Sequence, residues 1–576
     1  MKGKQMNKKI LYVINIPSAI VLLLALSKRN ITSLAIACII GLIIGIGEAY
    51  YLSKSKTCVN KYKLLISILI GALICYKESK IFFQTWLTSN TLIFIITRFF
   101  SDYSHGLRLL SILFAIVAIP SATIMVDLLL LCIIRLFKVI DYKCLWHELV
   151  KDISGISIIK RIGITILQLT AAALAGSALL TIVYTLPVNK IDLNVEKSAY
   201  TIQKEGTYPH LVTWATSQLD NWTDSIMLME SANSFTTSPV TDAMNVPRGS
   251  ILNHNPFETI VAHYVSGEPY ERSRTYPRYW HGYLVFLKPL LAIIDYETIR
   301  IINGVIQLIA VILVCMLLYK KGHSLAVGSF IIAYLMLMPF ALAKSLQFSS
   351  CFYVFIVGCL SLLLLNDEKR RTRAYNVFLF CGILTAFFDF LTYPISTFGV
   401  PMLFYLFLSD TESTETKLCA TVKNGLFWCI GFIGMWVSKW IISSIITGND
   451  IIENGIGAVV KRTSSVGPDG TTKYSIVACE IKNYTTFLNT PVTIVAIVFL
   501  GYLILKCIIR KNLSLKNTVR TLIPFLLTGF APIVWYAFAT NHSMIHYWFT
   551  NKACVITVLS IFLGIISLLR QMEPGR

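Results

Sequence analysis

Residues 297–319 read ETIRIINGVIQLIAVILVCMLLY, and Lys320 and Lys321 follow them. Past Arg300 the run carries no charge. At about 1.5 Å of rise per residue it is long enough to cross the roughly 30 Å hydrocarbon core of a bilayer. This is the pattern of a transmembrane helix. The lysine pair at its end gives it a direction, because Lys and Arg flanking a span remain on the cytoplasmic side. The long polar segment in front of it, 188–296, is then expected outside.

Similar apolar runs recur on both sides, at 10–26, 32–52, 63–77, 107–137, 163–187, 323–343, 346–365, 374–391, 395–408, 424–447, 490–509, 521–540 and 546–569, making about fourteen spans in all. Composition agrees: of 576 residues, 55% are apolar and only 14% charged, against about 25% charged in soluble domains. A mean hydropathy of +0.67 leaves too little polar surface for a water-facing shell. The expected fold class is therefore an all-α polytopic membrane protein. Residues 1–162 read as an N-terminal four-helix membrane addition, and 163–576 as a membrane core with a large outer loop, 188–296, and a second outer loop, 448–489. The basic start and apolar run at 1–26 lack a small-x-small cleavage site, so they read as a retained first span.

The net charge of +21 is explained by this topology. With both termini cytoplasmic, the inner segments collect Lys2, Lys4, Lys8 and Lys9; Lys54, Lys56, Lys61 and Lys63; Lys320 and Lys321; Lys369, Arg370, Arg371 and Arg373; and Lys506, Arg510, Lys511, Lys516 and Arg520. Lys28 and Arg29 go against the rule. Segment 188–296 carries eight basic and eleven acidic residues, and 448–489 carries four of each. The basic excess thus belongs to cytoplasmic anchors rather than to a nucleic-acid-binding domain, for which no polar region is large enough. The 14 cysteines fall mostly inside apolar runs without a CxxC pair and read as small packing residues.

Chemistry is sought where polar groups resist this pattern. Asp220 and Asp224 stand four residues apart in a helix-like stretch, which puts both carboxylates on one face, suited to taking a proton; the plainer reading is a solvated acidic face or an acid at a helix N-terminus. Trp222 between them suits stacking on a sugar or anchoring at the interface. Ionisable residues inside or at the ends of spans tend to mark function: Lys439, Asp389, Lys344, and the cluster Asn541, His542 and His546. All fall at the outer ends of their spans. With Arg278 and His281, and beside Trp280, the cations could hold a phosphate whose hydrocarbon tail stays in the bilayer. Competing structural roles are snorkelling for Lys439, helix capping for the Asn541 cluster and packing for Asp389. His542 and His546 have the spacing of a metal pair, but no HExxH pattern or acidic cluster accompanies them, and no nucleotide-binding glycine motif occurs.

The strings DNWTDSIML (220–228), RYWHGYLVFLKPLL (278–291), FFDFLTYP (387–394) and NHSMIHYWFT (541–550), set in this layout of spans and outer loops, resemble the GT-C superfamily of integral-membrane glycosyltransferases in its Gram-positive bacterial branches. The resemblance covers roughly 163–570. It implies a polyprenyl-phosphate-sugar donor, a cell-envelope glycan or lipid-linked acceptor, inverting transfer, and an outer-loop acid as general base: Asp224, or else Asp220. By the same resemblance the donor phosphate falls to Lys439, His542, His546, Arg278, His281 and Lys344. No metal site is assigned, although some members use a divalent cation. Other classes that fit the layout are a flippase or transporter for lipid-linked saccharides and a polymerase.

Overall fold

An apolar helix in a membrane turns its polar residues inward and its aliphatic ones toward lipid, the inverse of a soluble helix. The helix Tyr296–Lys320 does this in the computed structural model of the chain. Arg300, Asn303 and Gln307 are buried, while Ile301, Val305, Leu308 and Ile312 are exposed. The structure describes residues 139–572 apart from 151–154, 234–235, 237 and 511–513, together with 18–20 and 116–117. The chain divides into two units, Met1–Val139 and Ile140–Arg576. The expected spans 10–26, 32–52, 63–77 and 107–137 lie outside the described residues except for the helical stretches 18–20 and 116–117.

The second unit is almost entirely helical. In chain order it begins with α1 (Tyr142–Val150) and α2 (Gly155–Tyr184), then runs through α3 (Val188–Glu205), α4 (Asn221–Ala232), α5 (Pro239–Asn245), β1 (Pro247–Ser250), α6 (Pro256–Tyr264), β2 (Arg272–Thr275) and α7 (Leu284–Leu291). The membrane helices resume with α8 (Tyr296–Lys320), α9 (Ser324–Met336), α10 (Pro339–Lys344), α11 (Leu346–Leu364), α12 (Asp367–Phe388), α13 (Ser396–Leu408) and α14 (Thr414–Thr447). They are followed by α15 (Ile451–Thr463), α16 (Ile476–Leu488), α17 (Val492–Arg510), α18 (Leu515–Gly529), α19 (Ala531–Phe538), α20 (Thr540–Ile545), α21 (Tyr547–Thr550) and α22 (Val555–Gln571).

Among the described residues, seven helical segments are long and apolar enough to cross a membrane: Ile159–Tyr184, Tyr296–Lys320, Leu346–Leu364, Thr414–Thr447, Val492–Arg510, Leu515–Phe538 and Tyr547–Gln571. Each coincides with an expected span. Three further expected spans are helical but differ. Segment 323–343 is broken where Met338 takes a left-handed conformation (φ 59°) ahead of Pro339, which cannot continue the helix. Segment 374–391 is the rear of α12, whose first turns are charged. Segment 395–408 yields the 13-residue α13.

The tightest helix pair is α12 with α14, and glycines explain it. A Cβ on Gly382 would meet the carbonyl oxygen of Trp428, and one on Gly431 would meet that of Leu379. The two backbones therefore touch at reciprocal glycines, the usual device where apolar burial gives no net drive between helices. At one end of this bundle the polar segment between α2 and α8 folds into a cap. Within it α4 packs on α3, α6, α7 and β1 and reaches α11. The strands β1 and β2 form an antiparallel hairpin-like pair. Pro247, Gly249, Ser273 and Thr275 share one of its faces, and Tyr270 lies against Gly249.

Candidate functional site

The two carboxylates of α4 share a helix but not a neighbourhood. Asp220 is the N-cap: its Oδ1 accepts the Thr223 backbone N–H at 3.0 Å and its Oδ2 the Thr223 hydroxyl at 3.2 Å. Its own N–H donates to the Ser345 hydroxyl at 3.0 Å. The side chains of Gln347 and Trp548 face the carboxylate. Burial raises its pKa, opposed by the hydrogen bonds from Thr223. One turn on, Asp224 is fully buried. Its Oδ2 accepts from the Tyr296 hydroxyl and from the Leu346 N–H, the latter at 3.1 Å. Its Oδ1 has no hydrogen-bond partner. Burial pushes the Asp224 pKa up to about 7 against the pull of Arg300 and Tyr296. Behind Tyr296, Arg300 donates to Glu205 at 2.8 and 2.9 Å and to Asn221 at 3.0 Å. Lys344, 46% exposed, lies 4.0 Å from Glu205 and so belongs to this Asp224 side.

A row of rings runs away from Asp220. Tyr208 and Trp548 cover the carboxylate side with their centroids 5.3 Å apart. Trp548 is followed by His546 at 5.3 Å and His546 by His542 at 4.8 Å. The row ends on Arg462, whose Nη1 donates to His542 Nδ1 at 2.6 Å. Because Nε2 of His542 sits 2.7 Å from the Leu391 carbonyl, that nitrogen carries the proton and Nδ1 is the acceptor. Burial and the adjoining Arg462 hold the pKa of His542 well below its ordinary value. The His542 imidazole is neutral, and the cations of the row are arginines. Arg462 lies over the Tyr279 ring at 5.9 Å. Arg278 lies over Tyr276 at 4.6 Å and Tyr279 at 5.8 Å and donates to Asn454 at 3.3 Å. Neither arginine has a carboxylate partner among the described residues. Along the same row His546 Nδ1 and Arg278 Nε are buried without partners, and such groups call for a ligand or water.

Local structure explains how distant segments converge here. The turn Ala215–Ser217 ahead of α4 is tied to the end of α21 by the Thr216 hydroxyl, which donates to Asn551 at 3.0 Å, and by Lys552, which donates to the Thr216 carbonyl at 3.1 Å. That brings Asp220 to Trp548. Asn541 joins the start of α20 to the loop after α15: its N–H donates to the Ser464 carbonyl at 3.1 Å and its side chain to the Val466 carbonyl. That brings His542 to Arg462. Asp389 closes a turn by accepting from the Thr392 N–H at 2.9 Å and from its hydroxyl, and this turn presents the Leu391 carbonyl to His542.

The remaining expected residues are already engaged elsewhere. Lys439 is fully buried and donates to the carbonyls of Ala243 and Met244, each at 3.1 Å, while lying over Trp280. It fastens α5 to α14 and is not brought to the row. Trp280 is buried and donates to the Met435 carbonyl at 2.7 Å. His281 is enclosed with Tyr283 and Glu230, 3.0 Å from the Glu230 carboxylate. Trp222 is half-buried. Arg462, Arg300 and Trp548 were not singled out from sequence. Arg300 was findable as a charge in the first turn of a span; Arg462 lies eighty residues before its partner His542, and no spacing links them.

A groove of about 460 Å³ between α11 and α12, lined in part by Ser361, Arg373 and Asn376, shares no residue with the row. Among the described residues no group of three His, Cys, Asp or Glu stands close enough to hold a metal ion. Compared with protein-family models, curated proteins and solved structures, the chain matches none.

Proposed function

We propose that the chain is a GT-C-type membrane glycosyltransferase that moves a sugar from a polyprenyl-phosphate-linked donor to a cell-envelope glycan or lipid-linked acceptor. On this reading it has about fourteen spans, the first four an N-terminal addition, lies in a bacterial plasma membrane with both termini cytoplasmic, and works at the outer face. One observation carries the proposal: a buried carboxylate, Asp220, and two arginines without carboxylate partners, Arg278 and Arg462, stand at opposite ends of one aromatic row at one end of a membrane bundle.

The chemistry follows from that arrangement. The acceptor hydroxyl gives its proton to Asp220 as its oxygen bonds to the anomeric carbon; the bond from that carbon to the phosphate oxygen breaks, and the electron pair leaves with the phosphate. Arg462 and Arg278 stabilise the charge that develops there, and the rings of Trp548 and Tyr208 offer faces for the sugar. Asp220 is favoured over Asp224 as base because it adjoins the row, whereas Asp224 is enclosed by Tyr296, Leu346 and Arg300. No metal is needed for these steps.

Reconstitution with radiolabelled polyprenyl-phosphate sugars tests the proposal. Glycosidic product that disappears in Asp220→Asn supports it. Transbilayer movement of the lipid with no product would instead establish a flippase, and elongation of lipid-linked oligosaccharides without a monosaccharide donor a polymerase.

A further inference from the structure

The β1–β2 pair carries positive charge that the proposed transfer does not use. Arg248 is in register with Arg274, and Ser250 with Arg272. Residues two apart on a strand, and residues directly opposite, share a face, so all three arginines lie on one side. Like charges directly opposite each other destabilise a strand pair. No ion pair relieves them: among the described residues none of the three has a carboxylate within 4 Å, Glu230 acts on Arg248 only from farther off, and the Arg248 Nε is buried without a hydrogen-bond partner. Glu271, the nearest acid in sequence, is occupied by the Leu252 N–H at 2.6 Å. Arg272 and Arg274 are exposed and Arg248 is half-buried. Tyr276 is a common neighbour of Arg248 and Arg462, so the basic face continues into the row. All this occurs in a polar segment whose overall charge is acidic.

We propose that this face binds successive phosphate groups of a phosphate-bearing glycan, which on the glycosyltransferase reading is the acceptor. Arg272 and Arg274 stand about 7 Å apart along the strand, a spacing for a row of anions rather than a single ion, and guanidinium groups suit phosphate oxygens in pairs. The half-buried Arg248 and the continuity toward Arg462 favour a chain that threads to the site over a flat layer of anionic lipid headgroups, which exposed cations alone would serve.

The test is binding of a short linear polyphosphate to the purified full chain in uncharged detergent, with inorganic phosphate, neutral dextran and phosphatidylglycerol nanodiscs as comparisons. Polyphosphate is expected to bind, dextran not to, and inorganic phosphate only weakly. Arg272→Gln with Arg274→Gln, both at exposed positions, is expected to weaken polyphosphate binding at least about tenfold, with the gel-filtration profile unchanged; Arg248→Gln is the independent check. Unchanged affinity in the double variant overturns the proposal, as does displacement of polyphosphate by the nanodiscs through the same arginines. Binding is read without donor or turnover. A chain that binds polyphosphate but transfers nothing therefore refutes the glycosyltransferase reading alone, and transfer to a phosphate-bearing acceptor indifferent to the double variant refutes this face alone.

Discussion

Replacing Asp224 by Asn probes the protonation state of a buried acid. With its pKa raised to about 7 in the folded chain and near 3.9 when unfolded, the folded state holds the proton over a range where the unfolded state has released it. Stability therefore falls as pH rises between the two values, and the cost is complete above about pH 7. At 1.36 kcal/mol per unit, the wild type is expected to lose about 3 kcal/mol between pH 5 and pH 8 through this group. Asn mimics the protonated acid. Its amide can take the place of Oδ1, which has no partner, while its carbonyl keeps the bonds from Tyr296 and Leu346. The variant should exceed the wild type by about 1.5 kcal/mol at pH 5 and by about 4 kcal/mol at pH 8. Denaturant unfolding followed by tryptophan fluorescence in a neutral detergent reads the difference. Equal destabilisation of the variant at both pH values would mean that the carboxylate is ionised and paired with Arg300, and would refute the reasoning.

Asp220→Asn is expected to lower transfer by about 10²–10⁴-fold with membrane insertion unchanged, measured with labelled donor; full activity would remove Asp220 as base. Arg462→Gln removes the charge next to the departing phosphate and should cost about 10²-fold or more in turnover, which single-turnover assays would show. Lys439→Met, by contrast, should lower the unfolding temperature, because the Ala243 and Met244 carbonyls lose their donor, while leaving the KM for donor unchanged; a raised KM would return Lys439 to the phosphate. Gly431→Ala forces α14 away from the Leu379 carbonyl and should destabilise by about 1–3 kcal/mol, read as a lower detergent-unfolding midpoint.

What was legible from sequence followed from local composition. The run 297–319 announces its helix because length and absence of charge are properties of one segment, and seven described helical segments obey the same rule. Where a local feature competes, the rule weakens: Met338 and Pro339 break 323–343, and the charged first turns of α12 make one helix of a cytoplasmic-type stretch and a span. Asp220 and Asp224 stand at the start of one helix, Asp220 as its N-cap and Asp224 in its first turn, as the plainer reading of their spacing had it, but the spacing could not say what each would face, since those neighbours come from α8, α11 and α21. Lys439 shows the same limit. A lysine within an apolar helix is costly without partners, and sequence shows the cost but not whether a ligand or two carbonyls of α5, nearly two hundred residues away, relieve it. Carbonyls relieve Lys439, a carboxylate relieves Arg300, and neither group pairs Arg462. Arg462 is informative because the fold leaves it without a carboxylate, and its pairing with His542 exists only once α15 and α20 have met.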